Sequence, residues 1–231
     1  NHIYTGSNTL THGVVTNATN TGNVSYTITS DNWQIVGLPY NTGLSASVHA
    51  YLVQKGHPIL VYHKLGATAH AHTGAYGFQQ LGVIGTLPTG YTTTTFTPNC
   101  ALTAYGRLWV ANITNDIQTI YFSDLQDPTN FTTGTSGYLD ISTVIPTGDG
   151  ITALCAHNGF LIIFCHRTII IYGNPKDPAN LTLIDTIKGV GCIARDSVAK
   201  TGSDIIFLSD VGVMSLQRLI QEKSAPQRDI S

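Results

Sequence analysis

Apolar residues along this chain gather in short runs, and four such runs return at a spacing of about fifty residues, each entered through a Gly-containing turn. They are Gly56-His-Pro-Ile-Leu-Val-Tyr-His63, Gly106-Arg-Leu-Trp-Val-Ala-Asn112, Asn158-Gly-Phe-Leu-Ile-Ile-Phe-Cys165 and Gly202-Ser-Asp-Ile-Ile-Phe-Leu-Ser209. Runs this short and this rich in Ile, Val, Leu and Phe predict strands. A period of roughly 40–50 residues holding several strands predicts small sheets that bury their faces against their neighbours, as in a β-propeller. The expected fold is therefore all-β, a propeller of about four-stranded blades.

The pattern divides the chain in three. Residues 1–48 are dominated by Asn, Thr, Gly and Ser, with one alternating stretch, Val24-Ser-Tyr-Thr-Ile-Thr29, and are expected to form a β-rich arm or insertion. Residues 49–219 are expected to form the blades, and residues 220–231 the start of a further element. Between blades, Gly82 to Pro98 with Thr92-Thr-Thr-Thr95 predicts a loop and an exposed strand, because Thr suits a solvent-facing pleat. Helical periodicity is confined to Val213–Glu222, whose first half equally suits a strand. A start at Asn1 and a stop at Ser231 lead us to expect a piece of a longer polypeptide.

Two units share more than their apolar runs. Arg107–Ala111 is followed by Thr119-Ile-Tyr-Phe-Ser-Asp124 and the turn Gln126-Asp-Pro-Thr-Asn-Phe131; Phe160–Cys165 is followed by Thr168-Ile-Ile-Ile-Tyr172 and Asp177-Pro-Ala-Asn-Leu181. Pro sets one turn dihedral, while Asp and Asn side chains bond back to the backbone, so the shared Asp-Pro-x-Asn signature has a physical reason. Gly189 and Gly191 are expected to bend the chain between blades, with the small Cys192, Ala194, Ser197 and Ala199 allowing close packing there.

The order Arg167-Thr-Ile-Ile-Ile-Tyr172, Gly189-Val-Gly-Cys-Ile-Ala-Arg-Asp-Ser-Val-Ala199 and Ile205-Ile-Phe-Leu-Ser-Asp-Val-Gly-Val-Met214 resembles the propeller of the tail nozzle or stabilisation proteins of short-tailed bacteriophages. Arg107-Leu-Trp-Val110, Ile120–Asp124 and Asp127–Phe131 are similar to the preceding blade of such proteins, so the resemblance covers roughly residues 101–219. It implies a non-enzymatic virion component: a homo-oligomeric ring, commonly a hexamer, assembled in the host cytoplasm. The ring sits below the portal and its adaptor, carries tail fibres, and lets genomic DNA pass through its lumen without specific binding.

Composition fits that implication and narrows the alternatives. Charged residues make up only 10% of the chain and its net charge is −2, so no cluster of Lys and Arg is available to grip phosphates. No apolar run approaches the roughly 18 residues of a membrane-spanning helix. The four cysteines, Cys100, Cys155, Cys165 and Cys192, lack the spacing of a zinc or redox site and are expected to be free, buried thiols; a Cys155–Cys165 hairpin disulfide is the alternative.

Among the nine histidines, His70 and His72 would share a strand face, but no third ligand follows at firm spacing, and no carboxylate lies between Asp31 and Asp116. No metal and no cofactor is expected. His70 and His72, with Arg107, Arg195 and Asp196, are instead the candidates for subunit contacts. The competing class is a carbohydrate-binding or glycan-hydrolysing propeller, which needs aromatic platforms, for which Trp33, Tyr40, Tyr76 and Tyr91 are candidates, and two carboxylates flanking the bond. Most aspartates sit in turn contexts such as Asp127-Pro or Asp149-Gly, where a structural role is expected.

Overall fold

The computed structural model describes residues 33–41, 46–64, 78–84 and 86–224. These form four antiparallel sheets and one short helix, so the fold is all-β. The first sheet is a meander of β1 (Gln34–Asn41), β2 (Ala46–Val53), β3 (Leu60–Lys64) and β4 (Phe78–Val83). β5 (Cys100–Ala104), β6 (Arg107–Ile113), β7 (Asp116–Phe122) and β8 (Gly137–Asp140) make the second. β9 (Ile151–His157), β10 (Phe160–Cys165), β11 (Thr168–Gly173) and β12 (Thr182–Lys188) make the third. The fourth has three strands, β13 (Ala199–Thr201), β14 (Asp204–Ser209) and β15 (Gly212–Ser215), and runs directly into helix α1 (Leu216–Ser224).

Turn chemistry explains the meanders. β5 passes to β6 through Tyr105 (φ 56°) and Gly106 (φ 73°), and β9 to β10 through Asn158 (φ 48°) and Gly159 (φ 82°). Two consecutive positive φ values are the mark of a type I′ hairpin, whose twist matches that of the strands it joins. The Gly56 turn holds a different position. It joins the second and third strands of its sheet, whereas the Gly106, Gly159 and Gly202 turns each join the first and second. The four runs are thus not equivalent in register: Leu60–Lys64 is a third strand and the others are second strands. β1 and β2 pair along their whole length across residue 48, and α1 spans residues 219 and 220.

Each sheet stacks on the next. Leu108, Val110 and Tyr121 of the second sheet pack on Tyr51, Val53 and Val61 of the first. Trp109, Ala111, Ile120 and Phe122 point the other way, onto Leu161, Ile163, Ile170 and Tyr172 of the third. The third sheet's opposite face, with Ile162, Phe164, Ile169 and Ile171, meets Ile205 and Phe207 of the fourth, with Leu216 and Leu219 of α1 alongside. Period-2 alternation therefore survives in the sequence as continuous apolar runs, because both faces of the middle sheets are buried. β5 lies beside β1 on one side and β9 on the other, so first strands are neighbours at one edge of the stack.

Thr92–Thr95 forms a turn rather than the exposed strand expected of it. The amides of Thr95 and Phe96 donate to the Thr92 carbonyl, and Thr95 Oγ1 accepts from the Thr92 amide at 2.8 Å. Hydroxyls that bond this locally compete with a strand ladder, and the turn drives Phe96 into the core, 1% exposed.

Candidate functional site

The segment between the third and fourth sheets, Gly189–Val198, is where the sequence signature and the inter-sheet geometry coincide. Gly189 (φ 86°) donates its amide to the Arg167 carbonyl. Gly191 lies so close to the turn after β10 that a Cβ there would sit 2.2 Å from the Cys165 carbonyl oxygen. Only Gly fits that approach, which lets the Cys192 amide bond Cys165 O at 2.8 Å and the Ile193 amide bond Leu208 O at 3.0 Å. The segment is thereby stitched to both sheets. Cys192 is fully buried, whereas Ala199, expected to pack where sheets converge, is exposed and opens β13.

From this segment Arg195 reaches across to the second sheet. Its Nη1 donates to Asn99 O at 2.6 Å and lies 3.4 Å from Asn99 Oδ1, while its Nε and Nη2 fork onto Asp196 at 3.1 and 2.8 Å. The Arg195 side chain is only 8% exposed but that of Asp196 is 53% exposed. The pair is local and solvated; the contact that ties two parts of the fold together is the arginine to the Asn99 carbonyl, immediately before β5. The neighbouring Cys100 thiol is pushed up to about 12 by burial, partly opposed by Arg195.

Arg107 lies elsewhere. It is 2% exposed, and its Nη1 donates to Ser123 O (2.7 Å) and Thr135 O (3.1 Å), its Nη2 to Thr135 Oγ1 (2.8 Å). Thr135 passes its own hydroxyl and amide protons to Asp124 Oδ1 at 2.7 and 2.8 Å. The Thr135 hydroxyl and amide, acting first, hold the Asp124 carboxyl below its usual range, with the Leu125 amide and Arg107 adding to the effect against burial. Arg107 on β6 and Asp124 at the start of the β7–β8 connection thus both hold Thr135 near its end. Of the candidates for subunit contacts, Arg195 and Asp196 pair with each other and Arg107 lies apart from them, while His70 and His72 lie outside the described residues.

The first Asp-Pro-x-Asn turn bonds side chain to backbone as the sequence predicts, Asp127 Oδ1 accepting from the Thr129 amide and Asn130 Oδ1 from those of Thr132 and Thr133, whereas in the second Asp177 Oδ2 accepts from the Asn180 side-chain amide at 2.7 Å. In both sibling units the Asn amide closes an i to i+3 bond on the Asp carbonyl, Asn130 on Asp127 at 3.2 Å and Asn180 on Asp177 at 3.0 Å. The two turns occupy the same place, between the third and fourth strands of their sheets. Asp149 does more than its Asp-Gly context suggests. Its Oδ1 accepts from the amides of Gly150 (3.0 Å) and His166 (2.9 Å) and its Oδ2 from Arg167 (3.3 Å), so a buried carboxylate clamps a turn 17 residues downstream. No local sequence signal marks that long reach.

Aromatic candidates are engaged in the same way. Tyr91 and Tyr121 both donate to Asp116 Oδ2, at 2.7 and 2.8 Å, and Tyr91 meets Phe96 and Tyr121 edge-on. Burial, acting first, raises the Tyr121 hydroxyl well above its ordinary value, and the Tyr91 and Asp116 bonds add to it. Trp33 tilts against His57 and covers Leu52 and Leu60. Tyr40 falls in β1, and Tyr76 lies outside the described residues. Among the described residues no group of three or more His, Cys, Asp or Glu side chains is placed to hold a metal ion. All four cysteines are buried and free; the β9–β10 register sets Cys155 opposite Ile162 and Cys165 opposite Ile151, not opposite each other.

No family model matches this chain, and no curated protein matches it. The polar side chains Arg107, Asp124, Asp127, Asp149 and Arg195 bond within turns, within sheets and between sheets.

Proposed function

We propose that this chain is a non-enzymatic structural subunit of a phage tail, a nozzle protein that forms a homo-oligomeric ring, with six copies expected. The ring extends the DNA channel below the portal and adaptor, bears tail fibres, and takes part in retaining and ejecting the genome. The observation that carries the reading is the face-to-face stacking of successive antiparallel meanders with their first strands side by side. That arrangement suits blades of a propeller and a rigid wall. The Gly189–Val198 segment, which bears the resemblance to nozzle proteins, is also the segment that fixes one sheet to the next, through Gly191, Cys192 and Arg195. A net charge of −2 and a charged fraction of 10% suit a lumen along which DNA slides without being held.

Native mass spectrometry of the full chain tests this directly. A dominant species of six subunits, or another closed ring, is expected; a monomer at every concentration would overturn the reading. An electrophoretic shift of duplex DNA by this chain at physiological salt would count against an inert lumen.

A further inference from the structure

The chain contains a single Asn-Gly pair, Asn158-Gly159, and the fold sets it at the tip of the β9–β10 hairpin. The register closes on His157 and Phe160, so these two residues are the whole loop, and both are exposed. Neither the Asn158 side-chain amide nor the Gly159 backbone amide makes a hydrogen bond among the described residues. A Cβ built on Gly159 would meet nothing within 4 Å, so the tip has room to turn about its own bonds.

Other places where this chemistry could start are shut. Asp149-Gly150 is the single Asp-Gly pair; both residues are buried, and the carboxylate accepts from three backbone amides, that of Gly150 among them at 3.0 Å. Asn174 also has a positive φ (59°), but Pro175 follows it and has no amide proton to give up. Asn130 and Asn180 spend their side-chain amides on Thr133 and Asp177, and each precedes a bulky residue, Phe131 or Leu181.

We infer that Asn158 is a site of spontaneous covalent modification, an asparagine that cyclises onto its neighbour and deamidates without an enzyme. The Gly159 nitrogen attacks the Asn158 side-chain carbonyl carbon, which Gly allows because no Cβ shields its nitrogen. A new C–N bond closes a succinimide ring, and the side-chain nitrogen leaves as ammonia, carrying the proton that the Gly159 amide gives up. Water then opens the ring at either carbonyl. Opening at the side-chain carbonyl restores the peptide bond and leaves an aspartyl residue; opening at the main-chain carbonyl leaves isoaspartate, with one extra carbon in the main chain. Either product adds a negative charge to a chain of net charge −2. The isoaspartyl kink falls beside Phe160, whose carbonyl accepts the Tyr105 hydroxyl at 2.8 Å, so it bears on a tie between the second and third sheets.

The test ages the full chain at neutral pH, with circular dichroism as the check on folding, and maps its peptides by mass spectrometry. A gain of about 1 Da at Asn158 ahead of every other asparagine, split between aspartyl and isoaspartyl products, is expected. Asn158→Gly, which suits the same positive φ, is expected to slow the release of ammonia by the folded chain. Asn158 reacting no faster than Asn130 or Asn180 would overturn the inference, as would ammonia release unchanged in the variant. A product free of isoaspartate would also overturn it, because direct hydrolysis, not cyclisation, would then be the route. Isoaspartate appearing at Asp149 as fast as at Asn158 would show that the open tip is not what selects the site.

Discussion

Single polar side chains in this fold act by satisfying backbone groups at a distance, and their removal has distinguishable costs. Replacing Asp149 by Ala strands the buried amide of Gly150 and removes the acceptor of the His166 amide, so a loss of about 1–3 kcal/mol is expected, whereas Asn, which keeps one acceptor oxygen, loses less. Urea denaturation of the two variants orders them. Arg195 and Asp196 separate in the same assay. Arg195→Met removes a charge-assisted bond to a carbonyl and is expected to cost about 1.5–3 kcal/mol. Asp196→Asn breaks only a solvated pair, worth about 0–1 kcal/mol. Equal losses would mean that the pair, not the link to Asn99, is what matters.

Asp124 gives a pH dependence with a defined sign. Its carboxyl is held below the ordinary range in the folded state, chiefly by the Thr135 hydroxyl and amide, so its contribution is present above the unfolded carboxylate pKa of about 4 and is lost as the pH falls through the folded value. The urea midpoint is thus expected to drop on acidification below about pH 4, and Asp124→Asn to be less stable at neutral pH with a shallower acid decline. An unchanged acid slope in that variant would contradict the assignment.

At the scale of elements, close approach and turn chemistry decide which changes are tolerated. Gly191→Ala places a methyl against the Cys165 and His166 backbone, which cannot step aside, and is expected to cost about 1–3 kcal/mol. Gly150→Ala meets the partly exposed Ile117 side chain, at 3.0 Å from Cδ1 and 3.3 Å from Cβ, rather than backbone, and is expected to cost less. The strands, the sibling Asp-Pro-x-Asn turns and the strand-to-helix change after Gly212 were legible in the sequence because each rests on local chemistry: alternation, a fixed proline dihedral, helical period. What was not legible is non-local. The Gly56 turn has the same composition as the other Gly turns, so nothing in its own residues tells that it joins a second strand to a third. The sequence marks Arg195 only as a candidate for a subunit contact; that it binds Asn99, 96 residues away, depends on how the sheets stack. Asp149 and Arg107 were hidden in the same way.

For the molecule as a whole, burial of the four thiols and stacking of the four sheets are linked, since Cys100, Cys155, Cys165 and Cys192 lie in the clusters between the second and fourth sheets. None is expected to react with a thiol reagent in the folded chain, and all four are expected to react in denaturant; two after denaturation would reveal a disulfide. We propose that these stacked sheets wall a channel. Electron micrographs of the purified chain, averaged end-on, test it most directly: closed rings of this one chain around an open lumen are the predicted result, and isolated particles without a lumen at every concentration would contradict it.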